Sequence, residues 1–402
     1  MGLIRLRVSP AAERALRGGH PWVYEGSIRE QARPGQTGDL AVVYDRQNRF
    51  LALGLLDPDS PLRLRVLQAG QPAKMDAAWW RARLERALQR REGMFGPDTT
   101  GYRLIHGESD GWPGLVLDRY GDSLVLKLYT AAWFPHLPAV LEPLRRLFPA
   151  GRLVGRLGRL AAESGKDAPF EDGAVLWGED PQGEPVPFLE HGLSFEAAVQ
   201  KGQKTGFFLD QRDNRRLVES WADGGAVLNL FSFTGGFSLA AARGGAVSVT
   251  DVDLSAHALE GGKRNFALNR AHRAVAGCRR EAVKADVFAW LAERGERRYD
   301  LVVVDPPSLA RREKEQEKAL QAYEWLAVHA LSRLRPGGLL VAASCSAHVT
   351  PEAFFERVWR AVTPSGVRAE VVAKTGQPAD HPATFPEARY LKCVSVRVGG
   401  RV

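Results

Sequence analysis

Asn229-Leu-Phe-Ser-Phe-Thr-Gly-Gly-Phe237 is the stretch that decides the fold. It closes an apolar run that begins at Ala226 and passes directly into a helix-forming segment, Gly236 to Arg243. A buried strand that turns through a glycine pair into a helix is the opening unit of an open α/β sheet, in which ligands sit beyond the carboxyl ends of the strands. Gly235 and Gly236 let the backbone come close to such a ligand beside a helix N-terminus, where unsatisfied N–H groups collect. Taken alone, the pair also fits a plain tight turn.

Working outward, the same alternation continues. Val247 to Asp253 reads as a strand and Ser255 to Leu268 as a helix capped by Ser255. Val283 heads towards Asp286, Leu301-Val-Val-Val304 is a wholly apolar strand, and Leu339 to Ala342 and Val394 to Val398 supply more. Repeated strand–helix units specify a mostly parallel sheet covered on both faces, so the fold class is α/β with a Rossmann-like sheet from residue 189 to 402. Ahead of it, residues 1–72 read as a small β-rich module, with Leu40 to Tyr44 and Phe50 to Gly54 bounded by turn residues. Residues 73–188 read as a mixed α/β domain. It opens with a helix capped by Asp76 that carries Trp80, Leu84 and Leu88 on one face and Arg83, Arg86 and Arg90 on the other.

Composition narrows the class. Hydrophobic residues make up 45% and charged residues 25% of 402, the balance of an ordinary globular protein. The net charge is +8, and residues 1–95 hold 16 Lys and Arg against 10 Asp and Glu, which makes a polyanion a reasonable partner for that region. A solubilising surface explains the same charge equally well. Cys278, Cys345 and Cys393 are too few and too scattered for a disulfide framework or a zinc site, so no metal is expected and a reducing compartment, the cytoplasm, fits best. No signal peptide and no apolar run of membrane-spanning length is evident.

The strand ends carry the chemistry. Asp253 ends the second strand, where a carboxylate can accept hydrogen bonds from both hydroxyls of a ribose; Asp251, two residues earlier, leaves that assignment open to a shift. Asp286 ends the third and either holds an adenine amino group or caps the helix that follows. Ser232-Phe-Thr-Gly-Gly-Phe237 lacks the G-x-G-x-x-G spacing of a dinucleotide site, which disfavours hydride transfer. The fourth strand ends in Asp305-Pro306-Pro307-Ser308, a stiff turn whose carbonyls suit recognition of an amino group on a planar base. The fifth meets Ser344-Cys345-Ser346, which sets a cysteine at the same crevice as a candidate nucleophile.

These motifs, with Lys204-Thr-Gly-Phe-Phe-Leu-Asp-Gln-Arg212 ahead of them, resemble the RlmI-type family of ribosomal RNA large-subunit cytosine-5 methyltransferases. Gly19-His-Pro-Trp-Val-Tyr24 resembles the start of the PUA RNA-binding module that such proteins carry, and Asp380-His-Pro382 and Tyr390-Leu-Lys392 match towards the end. The resemblance implies a PUA domain, a small central α/β domain and a seven-stranded methyltransferase domain that uses S-adenosylmethionine on large-subunit ribosomal RNA. It implies that Lys204, Thr205, Gly206, Phe207, Asp210 and Arg212 surround the cofactor with Phe231, Ser232, Thr234, Gly235, Gly236, Asp253, Asp286 and Asp305. Asp305 and Cys345 are implied to be catalytic, and Pro306, Pro307 and Ser308 to meet the base. Leu309 departs from the family's usual Phe, which touches only a packing contact. A methyltransferase acting on a guanine nitrogen and a non-catalytic RNA-binding protein are the alternatives. The oligomeric state is open, with a homodimer as one expectation.

Overall fold

The computed structural model describes residues 3–149, 151–163, 168–293, 295–310, 312–362 and 367–401. The chain divides into two compact units. The first comprises Met1–Gly192, Ala197–Leu209 and Asp380–Phe385; the second comprises Leu193–Glu196, Asp210–Ala379 and Pro386–Val402.

In the first unit a six-stranded sheet runs in the order Trp22–Val23, Leu64–Ala69, Phe50–Leu56, Leu40–Tyr44, Ile4–Val8, Ile28–Gln31. Period-two alternation is plain in Ile4–Val8, where Ile4, Leu6 and Val8 face the core and Arg5 and Arg7 face away. A five-stranded sheet follows, with Leu115–Tyr120 and Ser123–Leu128 at its centre, and it packs around Trp80, Trp112 and Trp133. Leu55 and Leu67 of the six-stranded sheet belong to this second core. Trp22 Nε1 also donates to Glu108 Oε1 at 2.9 Å. The β-rich module at the front therefore shares its packing with the region behind it.

The helix Ala77–Gln89 forms where the sequence places it, and Asp76 accepts the Trp79 N–H as its cap. Its basic face is not simply solvated, however. Arg83 donates to the Gly111 carbonyl at 2.7 Å and lies over the Trp79 ring, and burial draws its guanidinium down to about 10. Arg90 pairs with Asp110 at 2.8 Å. The Asp380-His-Pro stretch is structural as well: Asp380 is fully buried and accepts the Arg103 N–H at 2.9 Å, while its carbonyl accepts from Arg91.

The second unit is built on a seven-stranded sheet. Its order is Arg279–Lys284, Ser248–Asp253, Ala226–Leu230, Tyr299–Val304, Leu334–Ser344, Lys392–Arg401, Val367–Thr375. The first five are parallel neighbours, and Lys392–Arg401 runs antiparallel to the strands on both sides. Every residue of Ala226–Leu230 is buried, as a central strand covered on both faces requires. Strand order reverses between Ala226–Leu230 and Tyr299–Val304, and at such a switch point the connections diverge and leave a crevice beyond the strand ends. Among the described residues no helix is long and apolar enough to cross a membrane.

Candidate functional site

The loop after Ala226–Leu230 is strained and incompletely satisfied. Phe231 and Phe233 adopt φ of 58° and 48°, a left-handed conformation that bulky side chains avoid, and Gly235 follows at 71°. The turn is pinned by Gly235 N–H to the Ser232 carbonyl at 2.8 Å and by Asn265 Nδ2 to the Thr234 carbonyl at 3.0 Å. Gly236–Arg243 then starts without a side-chain cap, which leaves its first N–H groups to a ligand. Ser232 Oγ and Thr234 Oγ1 are buried and lack a hydrogen-bond partner. Buried hydroxyls without partners are uncommon, and two in one loop fit a polar ligand that completes them.

The two aspartates of the neighbouring strand separate cleanly. Asp251 is fully buried and joins Arg280 Nε at 2.7 Å, Asn229 Nδ2 at 3.3 Å and the Ser238 hydroxyl. It is an internal hub. Asp253 sits partly exposed at the strand end, where Oδ2 accepts the Phe233 N–H and Oδ1 the Ser255 N–H, both at 2.8 Å. Those bonds fix the carboxylate at the mouth of the loop, where it stays partly exposed while Asp251 is fully buried. Asp286 is exposed and caps the helix Val287–Ala292 through the Ala289 N–H at 2.9 Å.

The Lys204–Arg212 stretch is divided between the units. In the first, Lys204 has φ of 53° and its ammonium lies over the Phe208 ring, Phe207 packs edge-on against Phe188, and Gly206 passes close to Ala197 and Ala198. Thr205 is buried there, with its hydroxyl donating to Asp118 at 2.5 Å and lying 2.9 Å from the Tyr120 hydroxyl. In the second unit, Asp210 is buried and accepts the Tyr390 hydroxyl at 2.8 Å, and Arg212, 2% exposed, opens the helix Arg212–Trp221.

The Asp-Pro-Pro-Ser and Ser-Cys-Ser turns are brought together by one hydroxyl. Ser346 Oγ accepts the Leu309 N–H at 3.0 Å and the Ala310 N–H at 3.3 Å, and lies 3.2 Å from Ser308 Oγ and 2.9 Å from the Tyr323 hydroxyl. Ser344 Oγ donates to the same tyrosine at 2.8 Å. Pro306 is buried and Pro307 exposed, so the turn presents one proline outward. Asp305 is half-buried, and its Oδ1 accepts Gln211 Nε2 at 2.9 Å. Behind it Asn214 Nδ2 donates to Gln211 Oε1, and Thr375 Oγ1 donates to Asn214 Oδ1, both at 2.5 Å. This chain delivers its donors towards Asp305 and fixes that carboxylate as an acceptor. Gln211 falls within the Lys204–Arg212 motif but has no role of its own there, and Asn214 and Thr375 lie outside every motif.

The three cysteines also differ. Cys345 is half-exposed at its strand end. Burial pushes the Cys278 thiol up to about 11 and the Cys393 thiol up to about 12, where the nearby Asp305 charge adds to the effect. Buried thiols of this kind stay protonated and unreactive at neutral pH.

The family of S-adenosylmethionine-dependent methyltransferases matches residues 102–397, and a PUA-like domain matches residues 6–69. A ribosomal RNA large subunit methyltransferase of Deinococcus radiodurans is 57% identical over 98% of this chain and 97% of its own length. Ribosomal RNA large subunit methyltransferase I of Citrobacter koseri is 34% identical over 98% of this chain and 99% of its own. Two solved methyltransferase structures share the fold: one from Streptococcus mutans, 23% identical with a TM-score of 0.83, and one complexed with SAH, 24% identical with a TM-score of 0.84. Each covers 98% of this chain and is itself covered in full. With the open strand-end loop, the carboxylate at its mouth and homology along its whole length, this chain belongs to the S-adenosylmethionine-dependent methyltransferases, in the family of the ribosomal RNA large subunit methyltransferases.

Proposed function

We propose that this protein methylates carbon 5 of a cytosine in large-subunit ribosomal RNA, with Cys345 as a covalent nucleophile. The observation that carries the reading is the lock between the two turns. Ser346 Oγ ties the Asp305–Ser308 turn to the Ser344–Ser346 turn, so a carboxylate and the most accessible of three thiols belong to one rigid pair of strand ends. An enzyme acting on an exocyclic or ring nitrogen needs no thiol there.

The loop residues Phe231 to Gly236 would hold the nucleoside part of the cofactor, with Ser232 and Thr234 gaining the partners they lack and Asp253 accepting from the ribose. Asp286 and the segment from Lys204 to Arg212 remain assigned to the cofactor by resemblance. When bound, the cofactor supplies a methyl group on an electrophilic sulfonium. Carbon 5 of cytosine is a poor nucleophile, since attack by the ring electrons disrupts its aromaticity. The Cys345 thiolate adds to carbon 6, and the electron pair of the broken double bond moves onto the ring, which becomes an enamine-like nucleophile at carbon 5. Asp305 holds the base edge and supports protonation of the ring nitrogen, while Pro306, Pro307 and Ser308 shape the turn against the base. Transfer of the carbon-5 proton to a base, water if no side chain serves, restores the double bond and expels the thiolate, and the ring nitrogen gives up the proton it gained.

The test is Cys345→Ala beside wild type, with methyl incorporation into unmodified ribosomal RNA as the readout. Cofactor affinity should hold while methyl transfer disappears. RNA carrying 5-fluorocytosine at the target should trap the wild-type chain as an adduct at Cys345, located by peptide mass spectrometry, because fluorine does not leave as the proton does. Cys278→Ala and Cys393→Ala should remain active and trappable. Full activity in Cys345→Ala overturns the covalent mechanism in favour of a nitrogen target, and wild-type protein that binds RNA without transferring methyl overturns catalysis itself.

A further inference from the structure

Lys392 begins the final strand opposite Ser344, so its side chain enters the unit beside the Ser-Cys-Ser turn. It is 1% exposed. Its ammonium donates to the carbonyl of Ser346, the residue after Cys345, at 2.5 Å and to the Tyr390 carbonyl at 2.9 Å. Among the described residues no carboxylate forms an ion pair with it. A lysine has three N–H donors, and two backbone carbonyls leave the third donor and the full positive charge uncompensated. Sequestering an ammonium without an anion is costly in an interior, which makes a nearby anion that arrives or forms the natural reason to keep it. Burial draws Lys392 down to about 8, and the neighbouring Cys345 acts in the opposite direction, favouring the charged lysine.

We propose that the Lys392 ammonium is the buried counter-ion of the Cys345 thiolate and positions and stabilises that nucleophile. The inference rests on Cys345 being the nucleophile and adds the group that keeps it ionised. The thiol gives its proton to bulk water, the ammonium keeps all three of its own, and the two charges neutralise each other inside the unit. Other groups bear on the same sulfur. Tyr323, on the helix Gln316–Leu331, is held neutral because burial raises its hydroxyl, and it bonds Ser344 and Ser346 on either side of the cysteine. Asp305 adds negative charge at the adjacent strand end, which its Coulomb effect on Cys393 registers. An anionic neighbour opposes thiolate formation, and Lys392 is the cation that offsets it. A purely structural Lys392 would do no more than tie the Ser346 and Tyr390 carbonyls together.

Iodoacetamide alkylation of the full-length chain, followed at Cys345 by peptide mass spectrometry across a pH series, separates the two roles. The wild-type midpoint at Cys345 should lie below the roughly 8.5 of an ordinary cysteine. Lys392→Gln keeps a donor for the carbonyls and removes the charge; its midpoint should rise by about one pH unit or more, and alkylation at pH 7 should fall about tenfold. Lys392→Arg, which keeps the charge, should stay near wild type. S-adenosylmethionine binding serves as the folding control. A wild-type midpoint at or above that of an ordinary thiol overturns the pairing even if no variant folds, as does an unchanged midpoint in folded Lys392→Gln. Failure of the nucleophile reading shows separately, as methyl transfer by Cys345→Ala.

Discussion

The two halves of the strand-end crevice in the second unit are built on opposite plans. Around Ser344–Ser346 and Asp305–Ser308 every turn is wired: one serine hydroxyl collects two backbone N–H groups and two hydroxyls, and a side-chain relay from Thr375 ends on Asp305. Around Ser232–Gly236 the backbone is strained at Phe231 and Phe233, the helix start is uncapped, and two buried hydroxyls lack partners. The lesson concerns when each half becomes complete. On the function proposed above, the wired half meets the reacting base and is fixed beforehand, because preorganisation is what makes electrostatics effective. On the same proposal the open half takes the cofactor, and its unmet bonding capacity is what a ligand would satisfy.

The largest effect expected from breaking the wired half is at Asp305. Asp305→Asn retains an acceptor for Gln211 yet loses the charge, so methyl transfer should fall by about 10²- to 10⁴-fold, the range for a positioned acid–base group. Single-turnover methylation checks it, and a loss below about fivefold would remove Asp305 from the chemistry. The next effect is on folding. Asp251→Ala leaves the Arg280 guanidinium without its buried partner and should cost about 3–5 kcal/mol in urea unfolding. Asp253→Ala, two residues on, should spare the fold and instead weaken S-adenosylmethionine binding by roughly ten- to a hundredfold, about 1.5–3 kcal/mol. Calorimetry on the two variants reads the contrast directly, and the reverse pattern would exchange their roles.

That Asp251–Asp253 pair marks the limit of what was legible. The apolar runs and the caps at Ser255 and Asp286 follow from local rules, so the central parallel strands and the helix Gly236–Arg243 form where the sequence puts them. A strand end fixes position only to within a residue or two, and the choice between a buried hub and an open carboxylate depends on Arg280, 29 positions away. The edge strand Val367–Thr375 escaped notice because Arg368, Glu370 and Lys374 dilute its apolar pattern, as they can on a strand paired along one side. The relay from Gln211 through Asn214 to Thr375 was invisible for a different reason: the Lys204–Arg212 motif contains Gln211 without a role, neutral amides and hydroxyls carry no spacing signature, and the Thr375–Asn214 pair is 161 positions apart. Residues 1–72 read as a separable module, yet Leu55 and Leu67 are part of the next core. Removing them would open that core, so RNA binding by this region is better tested with exposed arginines than by truncation.

The smallest predicted effect is also the sharpest comparison of the two halves, because it removes the same atom from each. Ser346→Ala deletes an acceptor that the Leu309 and Ala310 N–H groups use and the hydroxyl partner of Tyr323, and stranding such groups should destabilise the second unit by about 1–3 kcal/mol. Ser232→Ala deletes a hydroxyl that is already without a partner, so the fold without cofactor should change by no more than about 0.5 kcal/mol, and in the stabilising direction if at all. Its cost should show only with ligand present. Losing one neutral hydrogen bond of about 0.5–1.5 kcal/mol weakens S-adenosylmethionine binding by roughly two- to tenfold. Thermal unfolding of both variants with and without saturating cofactor makes the measurement: ligand-induced stabilisation should shrink in Ser232→Ala and stay whole in Ser346→Ala. If Ser232→Ala instead loses stability in the absence of ligand and binds as wild type does, its hydroxyl serves the fold and the open half is no more open than the wired one.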